Sequence, residues 1–200
     1  MPVRNVSKAR YRVGLLTGTF DPVHLGHVAL ARAAQRACEL SEVWFLVNPA
    51  PGHKQGVTPL SNRTSMVQLA LEGETGLRAS EPETVDVPGG HTTADFEGLM
   101  SRYPECEFVF IVGADVLATL GSWENATAAL RLNYAVARRI GVDAPELDLG
   151  LKVQWFDLEA HAEASSRRVQ GELAAGKRPG ELDARVFEYI SERGLYSRRL

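Results

Sequence analysis

The sequence holds only two cysteines in 200 residues, Cys38 and Cys106, too few for the disulfide framework that staples small secreted domains. Cys38 falls in a helical apolar stripe and Cys106 just ahead of a strand. Both are expected as buried or half-buried thiols in a reducing compartment, with no catalytic part. No apolar run reaches membrane-spanning length, because the longest, such as Phe108 to Val112, are strand-length. The first twelve residues carry Arg4, Lys8, Arg10 and Arg12 with no leader-like apolar stretch behind them. Residues 1–10 therefore read as a disordered basic tail and the protein as cytoplasmic. A strong excess of one charge is missing too. At a formal net charge of −3 nothing draws nucleic acid from a distance, so an anionic ligand must be held by basic residues close to it. Internal repeats and low-complexity segments are absent.

What is present is the material of one ordinary domain. A chain that is 44% hydrophobic and 24% charged buries one core well and two poorly, so residues 11–200 are expected to form a single domain. Strand-like and helical runs alternate along it. Val13 to Leu16, Val43 to Val47, Phe108 to Val112, Tyr134 to Gly141 and Lys152 to Phe156 read as strands, the second and third apolar enough to be buried on both faces of a parallel sheet. Leu77 to Val87 is weakly strand-like. Helical spacing covers Val28 to Cys38, Ser61 to Glu72 with Ser61 as N-cap, Thr93 to Tyr103, Val116 to Leu120, a helix opening within Ala164 to Gln170, and Val186 to Tyr196 with Gly194 as its stop. The alternation predicts an α/β fold, a doubly wound parallel sheet with helices on both faces.

One stretch concentrates the chemistry. Thr17 to His27, T-G-T-F-D-P-V-H-L-G-H, joins the first strand to the first helix. Gly18 lets a phosphate approach the backbone, and the helix start, with its free N–H groups and positive dipole end, favours negative charge. His24 and His27, at i and i+3, fall on one helix face and can address the same anion. Zinc is the other chemical reading of such a pair, but it needs three or four ligands and no Cys/His cluster accompanies them; His53, His91 and His161 are scattered along the chain. Neither G-x-x-x-x-G-K-[ST] nor G-x-G-x-x-G occurs, so the histidines take the part that lysine plays in a P-loop.

This stretch resembles the first signature of the H-x-G-H nucleotidylyltransferases, and its G-T-F-D-P-x-H-x-G-H form resembles that of bacterial nicotinate-nucleotide adenylyltransferases. Further likenesses run on to Tyr196. Lys54 follows a Pro-rich loop, Asn62-Arg63 precedes an apolar helix, and Thr93 and Asp95 match an S-Y-T-x-D-T segment in which Thr92 replaces the aromatic residue. Gly113-Ala-Asp115 with Trp123 resembles G-A-D-x-L-x-x-L-x-x-W. Arg138-Arg-Ile-Gly141 resembles R-R-P-G, and Ser165-Ser-Arg-Arg-Val-Gln170 resembles S-S-T-x-I-R with Arg167 for Thr and Gln170 for Arg.

The resemblance implies a Rossmann-like fold and transfer of AMP from ATP to nicotinate mononucleotide, with Mg²⁺ arriving on ATP. A relative acting on another phosphorylated acceptor, such as nicotinamide mononucleotide, is the alternative; a non-catalytic nucleotide-binding module is a third reading. His24 and His27 are the implied catalytic pair. Gly18, Thr19, Phe20, Lys54, Gly113, Asp115, Ser165, Ser166 and Arg167 are the implied ATP and phosphate contacts, and Thr92, Thr93 and Trp123 the pyridine-nucleotide contacts. Read without the resemblance, Lys54 and Arg63 are equally solvated surface charges, Asp115 a helix cap and Trp123 a core residue. Arg167 lies one turn before Gln170 and could reach the phosphates in its stead, whereas Arg168 points away and is expected in solvent. No nucleic acid or membrane partner is expected, and a homo-oligomer is left open.

Overall fold

A computed structural model of the chain describes residues 11–49, 56–79, 93–114, 133–139, 151–158 and 160–197. Six strands form one sheet: β1 (Tyr11–Gly18), β2 (Glu42–Val47), β3 (Leu77–Ala79), β4 (Cys106–Gly113), β5 (Asn133–Arg139) and β6 (Lys152–Leu158). Every adjacent pair is parallel, in the order β3-β2-β1-β4-β5-β6. That is the doubly wound arrangement the alternation predicted. The strand order reverses between β1 and β4, whose register sets Leu16 beside Ile111, and the crevice beyond the carboxyl ends of two such strands is where this topology binds ligands.

Strand periodicity divides the core in two. Leu16, Val43, Phe45, Val109, Ile111, Ala135 and Ala137 face one side, where they meet α1 (Leu25–Ala37), α2 (Leu60–Leu71), α4 (Ser166–Ala174) and α5 (Ala184–Glu192). Val13, Leu15, Trp44, Leu46, Phe108, Phe110, Tyr134 and Val136 face the other, with Leu99 of α3 (Thr93–Arg102) against them. Helices thus cover both faces. The α1 face is built from small residues, so the helix rides low: Ala31, Ala34 and Cys38 are fully buried, and at Gly14 a Cβ would lie 2.7 Å from Ile111 and Leu40. A side chain there would push the neighbouring core apart.

Local structure departs from expectation at two places. α2 begins one residue before Ser61, with Pro59 at the N-cap and no side-chain cap bond. α5 ends before Tyr196: Gly194, at φ 60°, turns the chain back, with Leu195 N–H bonded to the Ile190 carbonyl at 3.0 Å. Those bonds form a Schellman stop, and they redirect the last residues toward β1. Of Leu77 to Val87, Leu77 to Ala79 form a strand and the remainder lies outside the described residues, as do Val116 to Leu120. Among the described residues no helix is long and apolar enough to cross a membrane.

Candidate active site

Helix α1 starts directly on the histidine pair. His24 is its N-cap, extended at φ −144°, and His27 sits three residues on, so one helical turn stacks the rings with centroids 3.7 Å apart. The His24 backbone N–H donates to Nδ1 of His27 at 3.2 Å. An accepting Nδ1 leaves the His27 proton on Nε2, as a hydrogen-bond donor. Phe20 closes the other side with an edge contact at 5.0 Å. It adopts φ 49°, and its ring lies where Gly18 lacks a side chain: a Cβ there would be 2.9 Å from two ring carbons. Gly18 therefore makes room for the aromatic ring that backs His27, a use the sequence reading, which reserved the space for a phosphate, did not include.

His24 is 6% exposed and its Nδ1 has no hydrogen-bond partner. Burial, helped by the positive charge of Arg168 and by His161, pushes its pKa from 6.5 down to about 4. The ring is neutral at physiological pH, so it can offer one N–H as a hydrogen-bond donor but no positive charge. The helix amides are less available than expected. Leu25 N–H is bonded to the Glu181 carbonyl at 2.8 Å and His27 N–H to the His24 carbonyl at 2.9 Å, which shifts the burden of holding an anion onto side chains. Gly26, between the histidines, has a packing reason of its own. A Cβ there would lie 2.8 Å from Cβ of Ala164 and 3.0 Å from the His161 carbonyl. Its absence lets the turn before α4 close on the start of α1.

Arg63 corrects the reading of it as a solvated surface charge. It is neither solvated nor in the crevice but 1% exposed beneath it. Its Nε donates to the Thr58 carbonyl (2.8 Å), Nη1 to the carbonyls of Thr19 (2.8 Å) and Asn48 (2.7 Å), and Nη2 to that of Pro49 (3.3 Å). One guanidinium fork thus ties the motif turn to the chain leaving β2. Burial lowers its pKa, with Asp21 nearby acting in the opposite sense.

Asp21, itself buried, joins three more segments. Its carboxylate accepts from the Tyr196 hydroxyl and from Thr58 N–H at 3.2 Å, and its carbonyl accepts from Gln170 Nε2 at 2.6 Å. Burial, and then the bond to Asp21, push the Tyr196 pKa upward.

These parts surround a crevice of about 900 Å³ beyond the ends of β1 and β4. The fold brings Gly18, Thr19, Phe20, His24 and His27 together with Gly113, Ser165, Ser166 and Arg167, all of which line it. Two details of α4 differ from expectation. Ser166 spends its hydroxyl hydrogen on the Pro22 carbonyl at 2.9 Å, and Ser165 makes no side-chain cap. Arg168 is not simply solvated; it pairs with Glu181, whose carbonyl caps α1. His161, set aside as scattered, lines the same crevice at φ 56°. Nothing in its local sequence marks it, since only the closure over Gly26 carries it there. Lys54, Thr92, Asp115 and Trp123 lie outside the described residues; Thr93 opens α3, but its side chain is likewise not among them.

A parallel sheet of this order, with two stacked histidines lining a crevice at its switch point, is the kind of α/β architecture in which nucleotides bind. The family model for cytidylyltransferase-like proteins matches residues 15–171. A protein of Bacillus cereus named "Probable nicotinate-nucleotide adenylyltransferase" is 33% identical over 92% of this chain and 98% of its own, and one of the same name from Gloeobacter violaceus is 35% identical over 92% and 96%. The chain belongs to the cytidylyltransferase-like family and, within it, to the nicotinate-nucleotide adenylyltransferases. Its fold matches that of the Plasmodium falciparum nicotinic acid mononucleotide adenylyltransferase solved with NaAD, at TM-score 0.80 and 16% identity over 92% of this chain and 97% of that one.

Proposed function

We propose that this protein transfers AMP from ATP to the 5′-phosphate of nicotinate mononucleotide, releasing pyrophosphate and forming deamido-NAD. The observation that carries the reading is the pair of stacked imidazoles, one with its proton held on Nε2, at the mouth of the switch-point crevice. The attacking group is already an ionised phosphate, so the reaction needs neither a general base nor a covalent intermediate. Catalysis reduces to alignment of two phosphates and stabilisation of the charge that grows on the oxygens around the α-phosphorus. His24 and His27 supply that stabilisation as neutral donors. Holding them by packing and hydrogen bonds before substrate arrives removes the cost of organising them during the reaction.

Around this centre Gly18, Thr19, Phe20 and Gly113 form the floor. Ser165 and Arg167, with Lys54, address the triphosphate, and Ser166 fastens α4 to the motif turn. By resemblance, Asp115 bonds the ribose, Thr92 and Thr93 hold the pyridine carboxylate, and Trp123 stacks on the ring. The donor set of the crevice suits a Mg²⁺ carried in on ATP. Among the described residues no three His, Cys, Asp or Glu side chains gather into a metal cage, and both Asp21 carboxylate oxygens already accept hydrogen bonds. The ion would neutralise phosphate charge while nucleotide and water oxygens coordinate it. The cytoplasm, which supplies both nucleotides, is the expected location.

The test is pyrophosphate release, with ATP or CTP as donor and nicotinate mononucleotide, nicotinamide mononucleotide and other phosphate esters as acceptors. Turnover is expected to be fastest with ATP and nicotinate mononucleotide. Preference for another acceptor would reassign the pyridine subsite, and no release with any pair would leave a binding module.

A further inference from the structure

We infer that His161 is a third imidazole of the active crevice, which contacts the polyphosphate of the donor nucleotide beside Arg167. The inference rests on the adenylyl-transfer reading and assigns to it a residue outside the motif. Three observations carry it. His161 lines the crevice together with His24, His27, Ser165 and Arg167, and it is close enough to His24 for their charges to interact. The donors around it are largely committed: Ser166 to the Pro22 carbonyl, Gln170 to the Asp21 carbonyl, Arg168 to Glu181. The rings of His24 and His27 are stacked on each other at the mouth of α1. Within the described residues the His161 and Arg167 side chains form no hydrogen bond or ion pair, so their side-chain nitrogens remain available to an incoming anion.

The third observation is conformational. His161 holds φ 56°, a region that costs a non-glycine residue about 1–2 kcal/mol and glycine almost nothing. Its carbonyl accepts from Ala164 N–H at 3.0 Å and packs over Gly26. The backbone needs the turn, and a glycine would supply it more cheaply; an imidazole there is explained by what the ring can reach. What it can reach is the crevice that it lines together with Ser165 and Arg167. A chain of phosphates passing the histidine pair would enter that space.

Two variants test this without disturbing the turn: His161→Gly relieves its backbone, and His161→Asn tolerates the same φ. In steady-state assays both are expected to raise KM for ATP about fivefold, the loss of one modest hydrogen bond to a charged group, while KM for nicotinate mononucleotide stays unchanged and neither variant lowers the thermal midpoint. Calorimetric titration with inorganic tripolyphosphate should show the same weakening. Unaltered ATP and tripolyphosphate binding in both variants would overturn the inference, and so would an equal rise in KM for both substrates, which would mean that the turn had moved. If the wild-type chain binds tripolyphosphate but turns over no ATP with nicotinate mononucleotide, the functional reading fails and the titrations still decide the part of His161. A wild-type chain that binds no tripolyphosphate overturns the inference directly.

Discussion

The hydroxyl of Tyr196 donates to the carboxylate of Asp21, bonding the end of the described chain to the motif turn 175 residues earlier. The Schellman stop at Gly194 aims Tyr196 at it, and Thr58 N–H holds the second carboxylate oxygen. Tyr196→Phe removes one donor from a buried carboxylate and should destabilise the fold by about 1.5–3 kcal/mol. Gly194→Ala, which strains a left-handed position, should cost about 1 kcal/mol. Urea denaturation of both variants checks this; a Tyr196→Phe midpoint equal to wild type would show that the strap contributes nothing.

His24→Ala and His27→Ala should each lower kcat by roughly 10²-fold or more with the fold retained, since each donor acts on charge that develops in the transition state. Circular dichroism and single-turnover kinetics make the check. Near-normal turnover in either variant would remove it from the mechanism.

Burial of His24 makes stability depend on pH. Its pKa falls from 6.5 to about 4 on folding, so the folded state binds the proton less readily than the unfolded chain does. The contribution is complete above pH 6.5 and is lost as the pH falls toward 4, amounting to about 2 kcal/mol between pH 7 and pH 5. His24→Gln should lose less stability than wild type over that interval. Identical losses in urea titrations at the two pH values would contradict the assignment.

Arg63 is expected to tolerate no substitute. Lysine has one ammonium where four carbonyls on three segments are bonded to a planar fork, and methionine would leave those carbonyls buried without donors. Arg63→Met should cost about 3–5 kcal/mol. Arg63→Lys should retain the fold but loosen the Thr19 backbone, lowering kcat more than it changes KM for either substrate. A Lys variant with wild-type kinetics would show that the fork merely fills space.

Arg167 and Arg168 should separate cleanly. Arg167 lines the crevice and Arg168 is held by Glu181. Arg167→Ala should raise KM for ATP about tenfold, the value of a charge-assisted phosphate contact, with little effect on stability. Arg168→Ala should leave KM for ATP nearly unchanged and raise the His24 pKa slightly by removing a positive neighbour, which NMR titration of the imidazole can follow. Unchanged ATP kinetics in Arg167→Ala would place the triphosphate elsewhere.

Much of the molecule is legible in the chain because its causes are local. Strand-length apolar runs such as Phe108 to Val112 require burial on both faces, and their alternation with helical runs leaves a doubly wound parallel sheet as the natural solution. Helical geometry stacks His24 and His27 whatever surrounds them, and the motif turn lies between strand and helix by its own composition. Gly194 stops its helix because the left-handed stop is a local demand.

Other features depended on residues brought together from far along the chain. Arg63 read as a solvated charge because an arginine in a first helical turn has no local partner. Its carbonyl acceptors at Thr19 and Asn48 come near only once β1 and β2 are paired. Ser61 lost the N-cap to Pro59, beside a Thr58 amide bonded to distant Asp21. His161 read as scattered because its place in the crevice follows from a turn closing over Gly26. Local periodicity determined the sheet, the helices and the imidazole pair; tertiary contact alone decided which charges are buried, which donors remain for a ligand, and that Tyr196, near the C-terminal end, closes on Asp21. Sequence spacing governs neighbours within a turn or a strand, while hydrogen-bond partners across the sheet are set by how the layers pack.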